Sequence, residues 1–235
     1  MKVIIPAMSL SPPTPRWSWL FLVALVVGFA YWLGGQAVVD HAIVIAFKGA
    51  GVGLLTIWAA INARGRDGWL TVLVLGFGTL GDVLIEAVGL VPGAQAFLAG
   101  HVVAIVLYLL NRRRKLSASQ AALGLALLVG VPLIAWLLPA DRSAAPGVAL
   151  YAVGLGAMAA TAWTSRFPRY QVGIGAVMFV LSDLLIFARM GPLAHSVLPG
   201  SLIWPLYFGG QLLIAGGLVT TIVRRRADEE LHHRL

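Results

Sequence analysis

Two aspartates stand in matching surroundings at widely separated points of the chain. Asp82 lies in the sequence LGDVLI at 80–85, and Asp183 lies in LSDLLI at 181–186. Each is flanked on both sides by mostly apolar residues, where a charge left in hydrocarbon would cost several kcal/mol. Two buried carboxyl groups close together favour one protonated and one ionised member, which suits general acid and general base catalysis. Hydrolysis through an oxocarbenium-like cation is one reaction of this kind, in which the acid supplies a proton and the base activates water.

Other kinds of catalytic centre have little support in the sequence. It contains no Ser-His-Asp order, no nucleophile elbow and no zinc-type His-Glu spacing, which argues against an acyl hydrolase or a metalloprotease. The absence of cysteine excludes disulfides, thiolate chemistry and cysteine-ligated metals. Because His101 is the one histidine expected near the aspartates, we predict neither a metal site nor a cofactor.

The segments that must position these carboxyl groups are those of a polytopic membrane protein. Of the 235 residues, 60% are hydrophobic and 11% are charged, and the mean hydropathy is +0.90. We predict an all-α fold of eight transmembrane helices, because eight apolar segments are each close to the roughly 20 residues that cross a bilayer. The predicted spans are 17–33, 40–63, 69–90, 94–111, 118–138, 146–165, 170–190 and 201–223.

The spans divide the chain into one membrane domain with two short flanks. Residues 1–16 are rich in proline and are predicted to be a disordered cytoplasmic segment, residues 17–223 the eight-helix domain, and residues 224–235 a basic, polar cytoplasmic tail. The apolar run 17–33 could be the core of a signal peptide, but the segment before it is too long and is interrupted by prolines. We therefore interpret residues 17–33 as the first membrane helix.

The distribution of Lys and Arg predicts that both termini are cytoplasmic. Fourteen of the 17 basic residues fall on the two tails and on the second, fourth and sixth loops, whereas Arg142 and Arg189 fall on the opposite side and Lys48 lies within a span. This asymmetry is typical of an integral protein of a bacterial inner membrane. The net charge of +8 is explained by topology and by contact with membrane lipids, so no nucleic-acid partner is expected. The oligomeric state is left open.

Short internal matches predict two four-helix repeats of parallel orientation. The third and seventh spans share the motif Leu-Gly/Ser-Asp around Asp82 and Asp183, and Gly51-x-Gly53 in the second span matches Gly154-x-Gly156 in the sixth. A unit of four crossings returns to its starting side, so its copies would be related by an axis along the membrane normal.

Helix rise places the polar residues of six spans in one layer. Asp82 and Asp183 are each expected roughly 12 Å from the outer end of their spans, and counting along the inward-running spans gives a depth of roughly 8 to 15 Å for the other candidates. Glu86 is one helical turn beyond Asp82 on the same face and would line the mouth of a shared pocket. The candidate substrate-binding residues are Lys48, Glu86, His101, Tyr151, Tyr207 and Gln211.

Each candidate also has a structural explanation. Either aspartate alone could be an interhelical hydrogen-bonding residue, and Lys48 could neutralise the carboxylates or hold a phosphate. His101 could be a hydrogen-bonded core histidine, the two tyrosines and Gln211 are more often packing residues than chemical ones, and Glu86 could face the outer interface.

An ordered set of motifs runs through the candidate residues. They are Phe47-Lys48, Gly78-x-x-Gly81-Asp82-Val83-Leu84, Phe97-x-x-Gly100-His101, Tyr151, Phe179-x-x-Ser182-Asp183-x-Leu185 and Tyr207-Phe208-x-x-Gln211. Over residues 45–218 the chain resembles the YhhN-like lysoplasmalogenases, integral-membrane hydrolases that cleave the vinyl-ether bond of lysoplasmalogens to a fatty aldehyde and a glycerophospho-ethanolamine or -choline. The chain departs from the family pattern at Gly49 and Ala104, where the family often has proline and tyrosine, and this bears most on substrate range.

The resemblance implies that Asp82 and Asp183 are the acid and base, and that Lys48, His101, Tyr151 and Gln211 position a lysophospholipid substrate. The acid would protonate the β-carbon of the vinyl ether, the other carboxylate would stabilise the oxocarbenium ion, and water would give a hemiacetal that collapses to aldehyde and alcohol.

Two alternatives use the same residues differently. A proton-coupled transporter of a small or lipid-like substrate also needs buried carboxyl groups, although no span is clearly broken at its middle by proline. A non-catalytic lipid-binding protein would keep its function in an Asp82→Asn variant.

Overall fold

The computed structural model describes residues 14–34 and 40–232, and within them the chain forms eight α-helices and no β-strand. The helices are α1 (Trp19–Gly34), α2 (His41–Asn62), α3 (Gly65–Ala87), α4 (Leu90–Leu110), α5 (Ala118–Leu137), α6 (Ala145–Thr164), α7 (Ile174–Ala188) and α8 (Leu198–His232). A π-helical turn, Arg169–Gly173, leads directly into α7. Seven of the described helices are long and apolar enough to cross a membrane, and α1 is apolar but shorter. The prediction of an all-α polytopic membrane protein is confirmed.

Helix ends differ from the predicted spans where local chemistry extends the helix. Helix α4 begins at Leu90 because Gly89 adopts φ +130°, a left-handed value open to glycine, and so reverses the chain within two residues of α3. Helix α8 runs to His232, and at about 1.5 Å per residue it exceeds the roughly 30 Å of the hydrocarbon core. Its polar end is supported by an ion pair between Arg226 and Glu230, one helical turn apart at 2.8 Å.

The predicted disordered segment 1–16 lies mainly outside the described residues. At its end, the backbone N–H of Arg16 donates to Asn62 Oδ1 at 2.7 Å, and Asn62 Nδ2 donates to the carbonyl of Arg16 at 3.0 Å. These bonds hold the start of α1 against the end of α2. The two four-helix repeats remain a prediction.

Helices that follow one another in the chain pack side by side, except for α4 and α5, and α8 contacts helices from both ends of the chain order. Helix α8 contacts α1, α2, α3 and α7, while α4 packs against α6. Trp204 of α8 donates from its indole N–H to the carbonyl of Gly28 in α1 at 2.8 Å. This arrangement brings polar residues of six helices, all but α1 and α5, towards the same region.

The end of the bundle that carries Arg112–Lys115 is held by a polar cluster. Asn111 Nδ2 donates to Asp67 Oδ2 at 2.8 Å, and Arg225 Nη1 donates to Asn111 Oδ1 at 2.8 Å. The Arg225 guanidinium also stacks on Phe167, 4.9 Å from the ring centre. We refer to this end as the basic end.

Close packing of α5 on α6 depends on Gly156, whose Cα faces the backbone of α5. A Cβ at this position would lie 2.7 Å from the Leu127 carbonyl oxygen and 3.2 Å from Val131 Cβ. We expect Gly156→Ala to destabilise the protein by about 1 kcal/mol, because backbone cannot move aside as a side chain can. The midpoint of thermal unfolding in detergent measures the effect. Gly130→Ala on α5 is the matched control, because a Cβ there meets no atom within 4 Å. An equal midpoint for the two variants would contradict the prediction.

Candidate active site

A cavity of about 570 Å³ opens at the end of the bundle opposite the basic end, and we call it the main cavity. It is bounded by the last turns of α1, α3 and α7 and by the first turns of α2 and α8, with Phe97 of α4. Asp82 and Asp183 both line it. The two aspartates of the repeated motif therefore line the same cavity.

Asp82 is held in place by a tyrosine from α8. Its side chain is 1% exposed, and Tyr207 Oη donates to Asp82 Oδ2 at 2.7 Å. Gln211, one turn further along α8, lies with its Nε2 3.5 Å from the same tyrosine oxygen. The hydroxyl fixes the carboxyl group of Asp82 and leaves Oδ1 available to the cavity.

Asp183 has an equivalent partner from a different helix. It is 6% exposed, and Tyr151 Oη of α6 donates to Asp183 Oδ2 at 2.6 Å. His101 Nε2 of α4 lies 3.2 Å from the same tyrosine oxygen. Because the tyrosine proton is directed at Asp183, the histidine N–H is the donor in this contact, and Asp183, Tyr151 and His101 form one hydrogen-bonded chain.

Aromatic side chains fill the space beneath the two carboxyl groups. Phe97, Phe179 and Tyr207 pack edge to face with ring centres 5.1 to 5.8 Å apart, and His101 packs on Phe179 at 5.2 Å. Such pairs restrict the rotamers of the residues that hold the aspartates. Ser182, next to Asp183, donates to the carbonyl of Ile203 at 2.9 Å and fixes α7 against α8.

Lys48 and Glu86 form an ion pair at the wall of the main cavity. Lys48 Nζ lies 2.6 Å from Glu86 Oε1, and the two side chains are 13% and 25% exposed. Glu86 is one turn beyond Asp82 on α3, so the ion pair lies beside that carboxyl group. With Glu86 as its direct partner, Lys48 is placed to compensate negative charge within the site.

The charges lining the main cavity nearly balance. Lys48 and Arg189 face three carboxyl groups, those of Asp82, Glu86 and Asp183. The lining is neutral when one of the three is protonated. Because net charge in a membrane interior is costly, a lining with one protonated carboxyl group is the favourable arrangement.

The predicted site residues separate into two levels. The main cavity is lined by five of them: Lys48, Asp82, Glu86, Asp183 and Tyr207. Tyr151 lies outside this lining and donates a hydrogen bond to Asp183.

His101 and Gln211 lie deeper than the expected 8 to 15 Å, roughly 16 Å and 20 Å along α4 and α8, because both helices begin earlier than predicted. These two residues line a separate space of about 20 Å³ and contact the tyrosines rather than the main cavity.

Among the residues that line the main cavity but were not sequence candidates are three that are able to bind a polar or aromatic group of a ligand. Tyr31 and Trp32 come from α1, and Arg189 is the C-cap residue of α7. Arg189 makes no ion pair with any residue in the described ranges. Its position six residues after Asp183 was the available signal, but the charge distribution counts Arg189 only as one of two basic residues on the outer side.

The polar side chains around the two aspartates carry carboxyl, hydroxyl, amide, imidazole and ammonium groups. Within residues 14–34 and 40–232, no three histidine, cysteine, aspartate or glutamate side chains come together as the ligands of a metal ion would.

Comparison with known proteins agrees with the motif pattern. The sequence profile of the YhhN family matches residues 43–218. Proteins named lysoplasmalogenase from Mycobacterium bovis and Mycobacterium tuberculosis are each 31% identical to the chain over 193 residues, covering 78% of this chain and 73% of each relative. No solved structure gives a significant match. Because the family profile matches most of its length, the chain belongs to the YhhN family.

Proposed function

We propose that the protein is a membrane hydrolase that cleaves the vinyl-ether bond of lysoplasmalogens, giving a fatty aldehyde and a glycerophospho-ethanolamine or -choline. The relatives named lysoplasmalogenase support this activity. The observation that carries the proposal is the pair of buried aspartates on one cavity, each bound through Oδ2 to a tyrosine hydroxyl.

The chemistry of a vinyl ether suits this pair. Hydrolysis needs a proton at the β-carbon and an activated water at the α-carbon, and one protonated and one ionised carboxyl group supply both. The oxocarbenium ion between the two steps is stabilised by the carboxylate and by the low dielectric of a closed site. Neither tyrosine contributes charge, so each acts by holding its aspartate in a fixed rotamer.

The location of the main cavity suits a lipid substrate. The aspartates lie within about two turns of the helix ends, close to the depth at which a lipid headgroup gives way to its chain. We infer that the basic end faces the cytoplasm of a bacterial inner membrane, with both termini on that side, because Lys and Arg concentrate there. Residues 17–223 would then be the catalytic membrane domain and residues 224–235 a cytoplasmic extension.

The test is aldehyde release by the detergent-purified protein from a lysoplasmenyl-ethanolamine, with the saturated alkyl-ether analogue alongside. Aldehyde from the vinyl ether and none from the alkyl ether is expected, because a saturated ether cannot form the oxocarbenium ion by carbon protonation. A folded protein that releases no aldehyde would overturn the proposal.

Arg189 is the cation expected to bind the substrate phosphate, since Lys48 is paired with Glu86. We expect Arg189→Gln to raise KM for the lysoplasmenyl lipid roughly tenfold with little change in kcat, because a charge-assisted hydrogen bond to the headgroup is lost. Steady-state kinetics of aldehyde release measure both parameters. Arg142→Gln is the matched control, because Arg142 lies at the same end but is bound to the Trp136 carbonyl at 2.7 Å. An unchanged KM in Arg189→Gln would place the phosphate elsewhere.

A further inference from the structure

A second cavity, almost entirely apolar, adjoins the main cavity. It has a volume of about 500 Å³, within the roughly 300 to 1,000 Å³ of typical ligand sites. It lies between the first turns of α4 and α6 and the last turns of α7, and we call it the apolar groove. Leu150 on its rim is 69% exposed and Val91 is 67% exposed, so the groove opens sideways on the face of the bundle that meets lipid.

Four side chains form the wall between the apolar groove and the main cavity. Ile85, Phe97, Asp183 and Ile186 line both spaces. Asp183 is the one carboxyl group in this wall, whereas Asp82, Lys48, Glu86 and Arg189 line the main cavity alone. The boundary between polar and apolar space therefore passes through one of the two aspartates.

We propose that the lipid binds across this wall, with its alkenyl chain in the apolar groove and its glycerophospho headgroup in the main cavity, so that Asp183 is the general acid and Asp82 the general base. The acid and base roles of the two aspartates rest on the proposed function, the hydrolysis of a vinyl ether. The occupant follows from the polarity of the two spaces. The main cavity offers charged groups to a phosphate, and the apolar groove, apart from Gln95, Tyr151 and Asp183, offers apolar side chains to a chain that enters from the membrane.

The assignment of roles follows from the order of atoms in the substrate. In a vinyl ether the β-carbon is bonded to the chain and the α-carbon to the oxygen of the glycerol. A chain in the apolar groove puts the β-carbon at the wall, beside Asp183, and leaves the α-carbon facing the main cavity, where Asp82 and water are found. A proton is also less costly to keep than a negative charge on a carboxyl group that borders hydrocarbon.

The proton balance closes over one turnover. The C=C electron pair takes the proton of Asp183, which leaves an oxocarbenium ion at the α-carbon. Water adds to the α-carbon and gives its proton to Asp82. The hemiacetal then loses its hydroxyl proton to Asp183 while the C–O bond breaks, and Asp82 protonates the departing glycerol oxygen. Aldehyde and alcohol leave, and both aspartates return to their starting states.

Filling the apolar groove tests the position of the chain. Gly147 lines the groove one turn before Tyr151, and a Cβ there meets no atom within 4 Å, so the backbone has room for the side chain that Gly147→Phe adds to the groove. We expect this variant to lower kcat/KM for long-chain lysoplasmenyl lipids at least about tenfold relative to short-chain ones, because buried methylene groups are displaced.

Gly130→Phe, on α5 at a position where a Cβ also meets no atom within 4 Å, is expected to keep the chain-length ratio of the parent protein. An unchanged ratio in Gly147→Phe, or an equal change in both variants, would overturn the proposal.

A second measurement needs no catalysis. The probe is a saturated 1-O-alkyl lysophosphatidylethanolamine with a diazirine at the end of its chain, photolysed with the full-length protein in detergent. We expect labels on residues 90–98 or 144–151, competed by the unlabelled lipid and weakened by Gly147→Phe but not by Gly130→Phe. Labels confined to residues 31–32 and 199–204 would overturn the proposal. A parent protein that is labelled in the groove but releases no aldehyde would reject the hydrolase and retain the lipid site.

Adding azide as a nucleophile to the two Asn variants tests which aspartate is the acid and which is the base. Azide needs no general base, so it can capture the oxocarbenium ion that Asp183 still forms in an Asp82→Asn protein. We expect an α-azido ether from Asp82→Asn, detected by mass spectrometry, and none from Asp183→Asn, where carbon protonation fails. The azido ether from Asp183→Asn alone would reverse the assignment.

Discussion

Asp82→Asn and Asp183→Asn are each expected to lower kcat for aldehyde release by about 10² to 10⁴, the range that general acid and base groups contribute. The replacement keeps the size of the side chain and an oxygen that can accept the tyrosine hydrogen bond, at 2.7 Å for Asp82 and 2.6 Å for Asp183. An amide can neither deliver a proton to carbon nor remove one from water. The loss should therefore fall on kcat, while the midpoint of thermal unfolding stays near that of the parent.

Asp67→Asn is the matched control for these variants. Asp67 also lies on α3, but at the basic end, where it accepts a hydrogen bond from Asn111 at 2.8 Å. Its replacement is expected to leave kcat unchanged, because it is far from the main cavity along the helix. A folded Asp82→Asn or Asp183→Asn protein within about tenfold of the parent would contradict a two-aspartate mechanism and would favour the non-catalytic or transport alternatives.

Removing one partner of the Lys48–Glu86 ion pair is expected to have the largest effect on stability. The atoms lie 2.6 Å apart with the side chains 13% and 25% exposed, so either single variant leaves a poorly solvated charge. We expect Lys48→Met and Glu86→Gln each to cost about 2 to 3 kcal/mol, at the lower side of values for fully buried pairs because of the partial exposure. For a chain of this size that corresponds to a fall of roughly 4 to 12 °C in the midpoint of thermal unfolding.

The double variant separates the ion pair from the side chains themselves. Lys48→Met combined with Glu86→Gln is expected to recover most of the lost stability, because neither charge is then left alone. Glu230→Gln is the control, since its pair with Arg226 is 2.8 Å long but about half exposed, and a change within about 0.5 kcal/mol is expected. Additive losses in the double variant would show that Lys48 and Glu86 stabilise the protein through other contacts.

The sequence by itself determined the class of protein and predicted matching depths for the two aspartates. Hydropathy over windows of about 20 residues depends on each segment alone, so the eight helices and the all-α membrane fold could be predicted from it. Helix rise is equally local, and it placed Asp82 and Asp183 at matching depths on α3 and α7. The helix ends were less predictable, because Gly89 and the Arg226–Glu230 pair extend helices beyond their apolar segments.

Only the tertiary structure decided which residues meet. Tyr207 of α8 bonds Asp82 while Tyr151 of α6 bonds Asp183, and Arg189 joins a cavity rather than an outer loop. The physical reason is that lipid and protein interior are both apolar, so the sequence pattern of a membrane helix says little about which face is buried. Rotation of each helix about its axis is fixed by packing with its neighbours, and that packing divides the site into a charged cavity and an apolar groove with Asp183 between them.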